Sequence, residues 1–237
     1  MTPIFISYSS NDLKKVFMFV LNIKCMEEIS GKVSLIDWQS ETTLYLKIKM
    51  ETPLEFEPGK FINLTYKGTT RSYTCCNFEP SDLLELFIRL KEGGEISEKF
   101  KTIKVGEDVL VKGLFDEVKF EGKKVMGIGG GSGMAAFISL ARSIENGRDN
   151  ELIFFGSSRK ANEIAFPDEL MKMKKVKVIL SLTREEKEGF ETGRINRELI
   201  EKYCNPADYS IFICGPQPFT LSLGEALKEF KPHLMMW

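Results

Sequence analysis

Val125-Met126-Gly127-Ile128 runs directly into Gly129-Gly130-Gly131-Ser132-Gly133, and a helical stretch from about Met134 to Glu145 follows. A short apolar strand, a glycine turn and a helix in immediate succession give glycines a phosphate-binding rationale. Without side chains the backbone can approach a pyrophosphate closely, and a helix N-terminus offers unpaired N–H groups and partial positive charge. The spacing is not the strict G-x-G-x-x-G form, and the same residues also suit a plain tight turn. Further strands at Leu152–Phe155, Val176–Leu180 and Ile211–Ile213 alternate with helix candidates near Pro167–Met173, Asn196–Tyr203 and Leu221–Phe230. That alternation predicts a doubly wound parallel α/β domain over residues 122–237.

Upstream the rhythm differs. Leu44-Tyr45-Leu46-Lys47-Ile48-Lys49 alternates with a period of two, and short apolar runs stand at Phe61–Leu64 and Leu83–Leu90. Glu57-Pro58-Gly59-Lys60, Lys67-Gly68, Glu92-Gly93-Gly94 and Val105-Gly106-Glu107 punctuate them as turns. Residues 29–118 therefore predict a small antiparallel β-barrel, with a linker near 117–123 and an N-terminal extension over 1–28. The fold class expected is a two-domain α+β chain.

Composition narrows the function classes. The 237 residues carry 33 basic against 34 acidic side chains, so no global field favours nucleic acid. Five cysteines (Cys25, Cys75, Cys76, Cys204, Cys214) form no C-x-x-C pair. That argues against a disulfide framework, a zinc ribbon or an iron–sulfur cluster, and fits reduced thiols in the cytosol. No metal site is expected. The apolar stretch from Val16 to Ile23, about eight residues with Asn22 inside it, is far short of the roughly 20 that span a bilayer. Lys14 and Lys15 precede it as in a signal peptide, but no A-x-A-like site follows and Glu27 and Glu28 come soon after. It reads as an extra strand or a start-site extension.

Three more segments carry chemistry. Arg71-Ser72-Tyr73-Thr74 on a strand sets Arg71 and Tyr73 on one face and Ser72 and Thr74 on the other. A guanidinium matches phosphate, and the hydroxyls can reach a flavin edge; by themselves the residues also suit a solvated surface. Gly93-Gly94-Glu95-Ile96-Ser97 precedes Glu98-Lys99-Phe100 and could start a helix with Ser97 near its cap, as an anion site or a simple turn. Cys214-Gly215-Pro216 ends an apolar strand at the edge where parallel sheets bind ligands, although small buried cysteines often only pack.

These segments, in this order, resemble the ferredoxin-NADP reductase superfamily from about residue 30 to the end. Arg71–Thr74 is similar to its R-x-Y-S/T flavin motif and Gly94–Ser97 to its G-x-x-S/T flavin-pyrophosphate motif. Gly129–Gly133 is similar to its nicotinamide-nucleotide loop, and Cys214–Pro216 to its C-G-P motif. The resemblance implies that Arg71 and Ser97 hold flavin phosphates, with Gly94, Glu95 and Ile96 alongside. It further implies that Tyr73 packs along the isoalloxazine or ribityl chain, with Ser72 and Thr74 near the ring and Thr74 near N5.

The same resemblance gives Gly130, Gly131, Ser132 and Gly133 to the nucleotide, and Ser157, Arg159, Thr183 and Arg184 to its adenosine end. Cys214, Gly215 and Pro216 would lie beside the nicotinamide, and Trp237 would stack on the flavin. FAD is implied over FMN, with NADP or NAD as substrate.

The implied activity moves electrons between NAD(P)H and a one-electron carrier such as ferredoxin or flavodoxin. An electron-transfer subunit of a larger complex, or a nucleotide-binding module without activity, are the alternatives. Ala136 stands where many relatives have proline, and Gly113-Leu114-Phe115-Asp116 where many have a G-P-x-G-like turn. No cysteine cluster follows Cys214. Lys99, Lys101 and Lys104 could form a basic docking site or a solvated face, and His233 is expected to be structural.

Overall fold

The computed structural model describes residues 28–116 and 118–236. The expectations for residues 1–27 and for Trp237 fall outside the described residues. Six strands form the first sheet: β1 (Ile29–Ser40), β2 (Thr43–Leu54), β3 (Lys60–Tyr66), β4 (Thr69–Thr74), β5 (Ser81–Arg89) and β6 (Asp108–Asp116). Their order is β4-β3-β6-β1-β2-β5, antiparallel throughout. A bridge between Cys75 and Leu86 joins the two outer strands, so the sheet curls back on itself as a barrel.

Alternation explains the barrel's interior. Leu44, Leu46, Ile48 and Met50 of β2, Leu84, Leu86 and Ile88 of β5, and Ile62, Leu64 and Tyr66 of β3 are all buried in one cluster. Tyr45, Lys47 and Lys49, out of phase with them, face away. The helix α1 (Glu95–Phe100) covers one end, with Ile96 and Phe100 in the same cluster and the Phe100 ring stacked 5.5 Å from that of Tyr66.

The second sheet contains β7 (Lys124–Gly130), β8 (Glu151–Ser158), β9 (Val176–Leu182), β10 (Glu191–Thr192), β11 (Ser210–Gly215) and β12 (His233–Met236), ordered β10-β9-β8-β7-β11-β12 and parallel. Its helices are α2 (Met134–Glu145), α3 (Pro167–Lys172), α4 (Arg197–Tyr203) and α5 (Gln217–Ala226). Both faces are covered. Val125, Leu152, Phe154 and Phe212 pack with α2 and α3, while Met126, Ile128, Ile153, Phe155, Ile211 and Ile213 pack with α4 and α5. Burial on both faces is why these strands read as continuous apolar runs rather than alternating ones.

The helix expected near Leu221–Phe230 begins earlier, at Gln217, and Lys228–Phe230 forms a separate 3-10 turn. Pro218 sits in the first helical turn, where its missing N–H is harmless and its fixed φ suits the helix. Strand order reverses between β7 and β11. Their carboxyl ends thus open the crevice where doubly wound sheets bind ligands.

Candidate functional site

A cleft of about 710 Å³ opens on the barrel beside the second sheet, within the ~300–1,000 Å³ typical of ligand sites. Arg71, Ser72, Tyr73 and Thr74 of β4 line it, with Gly93, Gly94, Glu95, Ile96 and Ser97 at the start of α1. Ser132, from the glycine turn of the other domain, lines it too. Two barrel segments and a residue 35 positions beyond the second of them, across the domain boundary, therefore meet at one cavity.

The individual groups are placed as follows. Arg71 is exposed and donates from Nη1 to the Thr70 carbonyl at 2.6 Å, which steadies its stem and leaves the rest of the guanidinium fork to the cleft. Tyr73 is half-buried, its ring 6.2 Å from that of Phe100, and burial pushes its hydroxyl well above the ordinary phenol range. It stays neutral. Ser72 donates to Asn63 Oδ1 of β3 at 2.7 Å, and Thr74 is half-buried opposite Phe61.

Gly94 is the N-cap of α1, so Ser97 is the third residue of that helix rather than its cap. Its buried hydroxyl accepts the Lys91 N–H at 2.9 Å and closes the Lys91–Gly94 turn. Glu95 lines the cleft with its carboxylate held by Thr69 and by Lys99 Nζ at 3.0 Å; the Thr69 hydroxyl and then Lys99 draw it below the usual carboxylate range. Lys99 also donates to the Lys67 carbonyl, and Lys101 pairs with Glu98. Two of the three lysines considered for docking are thus neutralised by their own helix.

At the carboxyl edge of the second sheet, Gly131-Ser132-Gly133 form one 3-10 turn leading into α2. Gly131 has φ of +57°, left-handed backbone that a side chain strains, and a Cβ there would lie 3.6 Å from Arg89 Nη1. Gly130 pairs with Ser157 at the end of β8. Ser157 is buried, Arg159 exposed. Thr183 and Arg184, both exposed after β9, donate backbone N–H groups to the carbonyls of Ser158 at 3.0 Å and Arg159 at 2.9 Å. Thr183 and Arg184 are thereby tied to the end of β8, while Ser157 pairs with Ser181 of β9.

Cys214 lies between Gly129 on β7 and Met235 on β12 and is fully buried among core side chains, with Gly215 buried and Pro216 exposed beyond it. Neither its thiol nor its backbone is exposed, and none of these three residues lines the cleft on the barrel. His233 stacks on Phe212 with ring centroids 4.6 Å apart.

Several lining residues were not singled out from sequence: Phe61, Phe87, Arg89, Lys91 and Met236. Arg89 pairs across the domain boundary with Glu163 at 3.0 Å, and Met236 of the last strand reaches the cleft from the residue before Trp237. Neither has a local spacing signal. The partners of Arg89 and Met236 come from chain segments far away in sequence.

The cradle suits FAD. It offers a guanidinium, an exposed two-glycine turn whose Gly93 leaves open space where a Cβ would stand, a half-buried aromatic ring and a hydroxyl. A dinucleotide's phosphates, sugar and ring system call for those four kinds of contact.

Comparisons with known proteins agree with that chemistry. The family described as "Oxidoreductase FAD-binding domain" matches residues 28–120, and "Oxidoreductase NAD-binding domain" matches residues 128–223. The chain is 25% identical over 193 residues to a probable dihydroorotate dehydrogenase B (NAD(+)) electron transfer subunit of Methanopyrus kandleri, covering 81% of this chain and 71% of that protein. It is 29% identical over 189 residues to the sulfhydrogenase 1 gamma subunit of Pyrococcus furiosus, covering 74% and 64%. A ferredoxin–NAD(P)(+) reductase component of the naphthalene 1,2-dioxygenase/salicylate 5-hydroxylase systems of a Ralstonia species is 25% identical, covering 79% and 60%. The chain thus spans about two thirds of the length of these relatives.

Among solved structures, the ferredoxin reductase of carbazole 1,9a-dioxygenase superposes with a TM-score of 0.79 at 21% identity, covering 90% of this chain and 69% of that one. A ferredoxin NADP+ reductase from Neisseria gonorrhoeae, with bound FAD and NADP, superposes with a TM-score of 0.73 at 21% identity, covering 88% and 97%. With both domain families matched in order and the two-sheet fold shared, the chain belongs to the ferredoxin-NADP reductase superfamily of FAD- and NAD(P)-dependent oxidoreductases.

Proposed function

We propose that this chain accepts electrons from NAD(P)H through FAD and hands them to a redox carrier protein such as ferredoxin or flavodoxin. The observation that carries the reading is the convergence of Ser132, from the nucleotide turn, with Arg71–Thr74 and Gly94–Ser97 around one cleft. Residues 29–118 are assigned to the flavin and 122–237 to the nucleotide, with 1–28 as an extension. Bound FAD would supply the two-electron to one-electron conversion, taking a hydride and releasing electrons singly.

The protein's part is to bind, orient and exclude water. Arg71 neutralises a flavin phosphate, and the Gly94–Ser97 backbone receives the pyrophosphate while the Ser97 hydroxyl braces its turn. Tyr73, kept neutral by burial, would pack along the ribityl chain, and Ser72 and Thr74 would border the ring, Thr74 on the N5 side as the resemblance implies. Gly130, Gly131, Ser132 and Gly133 bring backbone and the start of the twelve-residue α2 to the nucleotide pyrophosphate. Ser157, Arg159, Thr183 and Arg184 border the adenosine end, where the two arginines favour a 2′-phosphate. Cys214, Gly215 and Pro216 would border the nicotinamide, and Trp237 would serve as the aromatic cover of the flavin; the place of its neighbour Met236 in the cleft wall supports that last assignment.

Among the described residues no helix is long and apolar enough to cross a membrane. The cytosol is the compartment proposed, because the five cysteines of the sequence include no C-x-x-C pair and do not read as a disulfide framework. A second reading, an electron-transfer subunit that works only within a complex, is favoured by the subunit names of two relatives.

The test is anaerobic addition of NADPH or NADH to the purified protein after FAD loading. Bleaching of the flavin supports the reading, and the faster nucleotide identifies the substrate. A protein that cannot be loaded with FAD or FMN refutes it. Fast bleaching with slow turnover on ferricyanide points to the subunit reading.

A further inference from the structure

Two carbonyls in the segment that follows β4 out of the flavin cleft are held by side chains of the helix that leaves the nucleotide turn. Thr74 is followed by Cys75, Cys76 and Asn77, and α2 begins at Met134 directly after Gly133. Ser139 donates its hydroxyl to the Asn77 carbonyl, and Arg142 donates from Nη1 to the Cys76 carbonyl at 3.0 Å. Positions three apart on a helix share a face. The two bonds therefore act side by side, about 12 Å along the axis from the nucleotide turn in the case of Arg142.

Arg142 does more than close that bond. Its Nη1 also meets Glu85 Oε2 of β5 at 2.9 Å, while Nε and Nη2 grip both oxygens of Glu169 on α3 at 2.6 and 2.8 Å. The guanidinium lies 4.6 Å from the Phe166 ring, which in turn meets Tyr45 of β2 edge-on at 4.7 Å. Glu85 is steadied from its other side by Lys47 at 3.1 Å. Only a planar fork with donors on several edges can serve these partners together; a lysine ammonium offers one point charge.

We propose that Arg142 is a positioning residue that holds the nucleotide turn in register with the flavin-side strand. It does not line the cleft. All other residues of α2 except Glu145 are buried between the sheet and the barrel, so the helix moves as a rigid rod or not at all. Loosening its hold on Cys76 and Glu85 shifts Gly130–Gly133 relative to Thr74 while leaving each binding surface intact. The expected signature is a slower hydride step with little change in affinity for either nucleotide, since a displacement of ~1 Å at the reacting centre costs on the order of a hundredfold in rate.

This inference rests on the functional reading above, and the test separates the two. Parental protein, Arg142→Lys, Arg142→Gln and Ser139→Ala would each be FAD-loaded and mixed anaerobically with saturating NAD(P)H. The rate of flavin bleaching, the nucleotide concentration at half-maximal rate and the long-wavelength charge-transfer absorbance would be recorded. Hydrogen exchange at residues 75–77 in the FAD-free protein gives a readout independent of turnover.

Expected for both Arg142 variants are bleaching about ten- to a hundredfold slower, a nearly unchanged half-saturation, a weakened charge-transfer band and faster exchange at Cys76 and Asn77. A folded, FAD-loaded Arg142 variant that bleaches at the parental rate with its absorbance band intact overturns the proposal, as does a defect confined to half-saturation or flavin content. Should neither Arg142 variant fold, Ser139→Ala decides by the same measurements: a slowed step with retained affinity supports the register, and parental behaviour overturns it. A parental protein bleached by neither nucleotide refutes the functional reading and this inference together.

Discussion

Replacing Gly127 with alanine tests how tightly α2, and with it the nucleotide turn, is seated on the sheet. Gly127 lies in β7, and a Cβ added there would stand 2.8 Å from Phe137 Cγ and 2.9 Å from Cε1, with Cδ1 nearer still. Those separations fall short of the ~3.5–4.0 Å of comfortable carbon contact by roughly an ångström. The Phe137 ring has nowhere to go. It is fully buried, with Phe120 5.8 Å to one side and Phe154 5.6 Å to the other, and its backbone belongs to α2.

Overpacking of this kind costs about 1–3 kcal/mol, and a ring hemmed in on both sides places Gly127→Ala in the upper part of that range. At ~2–4 °C per kcal/mol for a chain of this size, the melting temperature should fall by about 4–12 °C. Because Phe137 sits in the first turn of the helix that starts at Met134, directly after Gly133, NAD(P)H affinity should fall as well. FAD affinity should hold, since no barrel residue is touched. Differential scanning calorimetry and fluorescence titration with each nucleotide would measure all three. A variant that melts at the parental temperature and binds NAD(P)H as before would show that the strand-to-helix contact has slack, and would remove the reasoning from glycine to nucleotide site.

Arg71→Ala should weaken FAD binding by about tenfold to a hundredfold, the loss of a charge-assisted bond of roughly 1.5–3 kcal/mol, with folding intact; unchanged flavin retention on dilution would exclude Arg71 from the phosphate site. Gly131→Ala forces a side chain into left-handed backbone at about 1–2 kcal/mol, so nucleotide affinity should drop while FAD stays bound, and equal losses of both would contradict the division of labour between the domains.

For pH, burial pushes the Glu85 carboxyl up, but the Tyr45 hydroxyl, Arg142 and Lys47 outweigh it and hold it below its ordinary value. A depressed carboxyl stabilises the fold fully above its unfolded value of ~4.3, and that contribution is lost as pH falls through the lower folded value. Urea midpoints should therefore decline on acidification below that point more steeply in the parental protein than in Glu85→Gln. Parallel curves would mean that Glu85 contributes nothing to the acid sensitivity.

What sequence could reveal followed from locality. Gly129–Gly133 declared itself because a strand, a turn and a helix are contiguous, and Arg71–Thr74 because four adjacent residues on a strand carry three kinds of polar group. The apolar runs of β7, β8, β9 and β11 were legible because a sheet covered on both faces has no polar phase to hide in. Ser97 does line the cleft, but whether its hydroxyl faces a ligand or the Lys91 amide depends on how a turn closes, which spacing does not encode. The order β4-β3-β6-β1-β2-β5 was hidden for a similar reason, since alternation says which residues face inward and nothing about which strand lies beside which.

The least legible feature is the one that joins the halves. Arg142 reads in sequence as an ordinary polar residue in the last turn of a helix, and Glu85 and Glu169 as ordinary acids on a strand and a short helix, because their mutual contacts span 57 and 27 residues. A flavin site and a nucleotide site can each be recognised from a few consecutive residues because each binds a part of a ligand with local backbone. Electron transfer between them depends on their separation and angle, and those are fixed by side chains belonging to neither motif. For this chain the residues that decide whether two recognisable sites make one working centre therefore sit at the seam, where Arg142, Ser139 and Arg89 cross from one domain to the other.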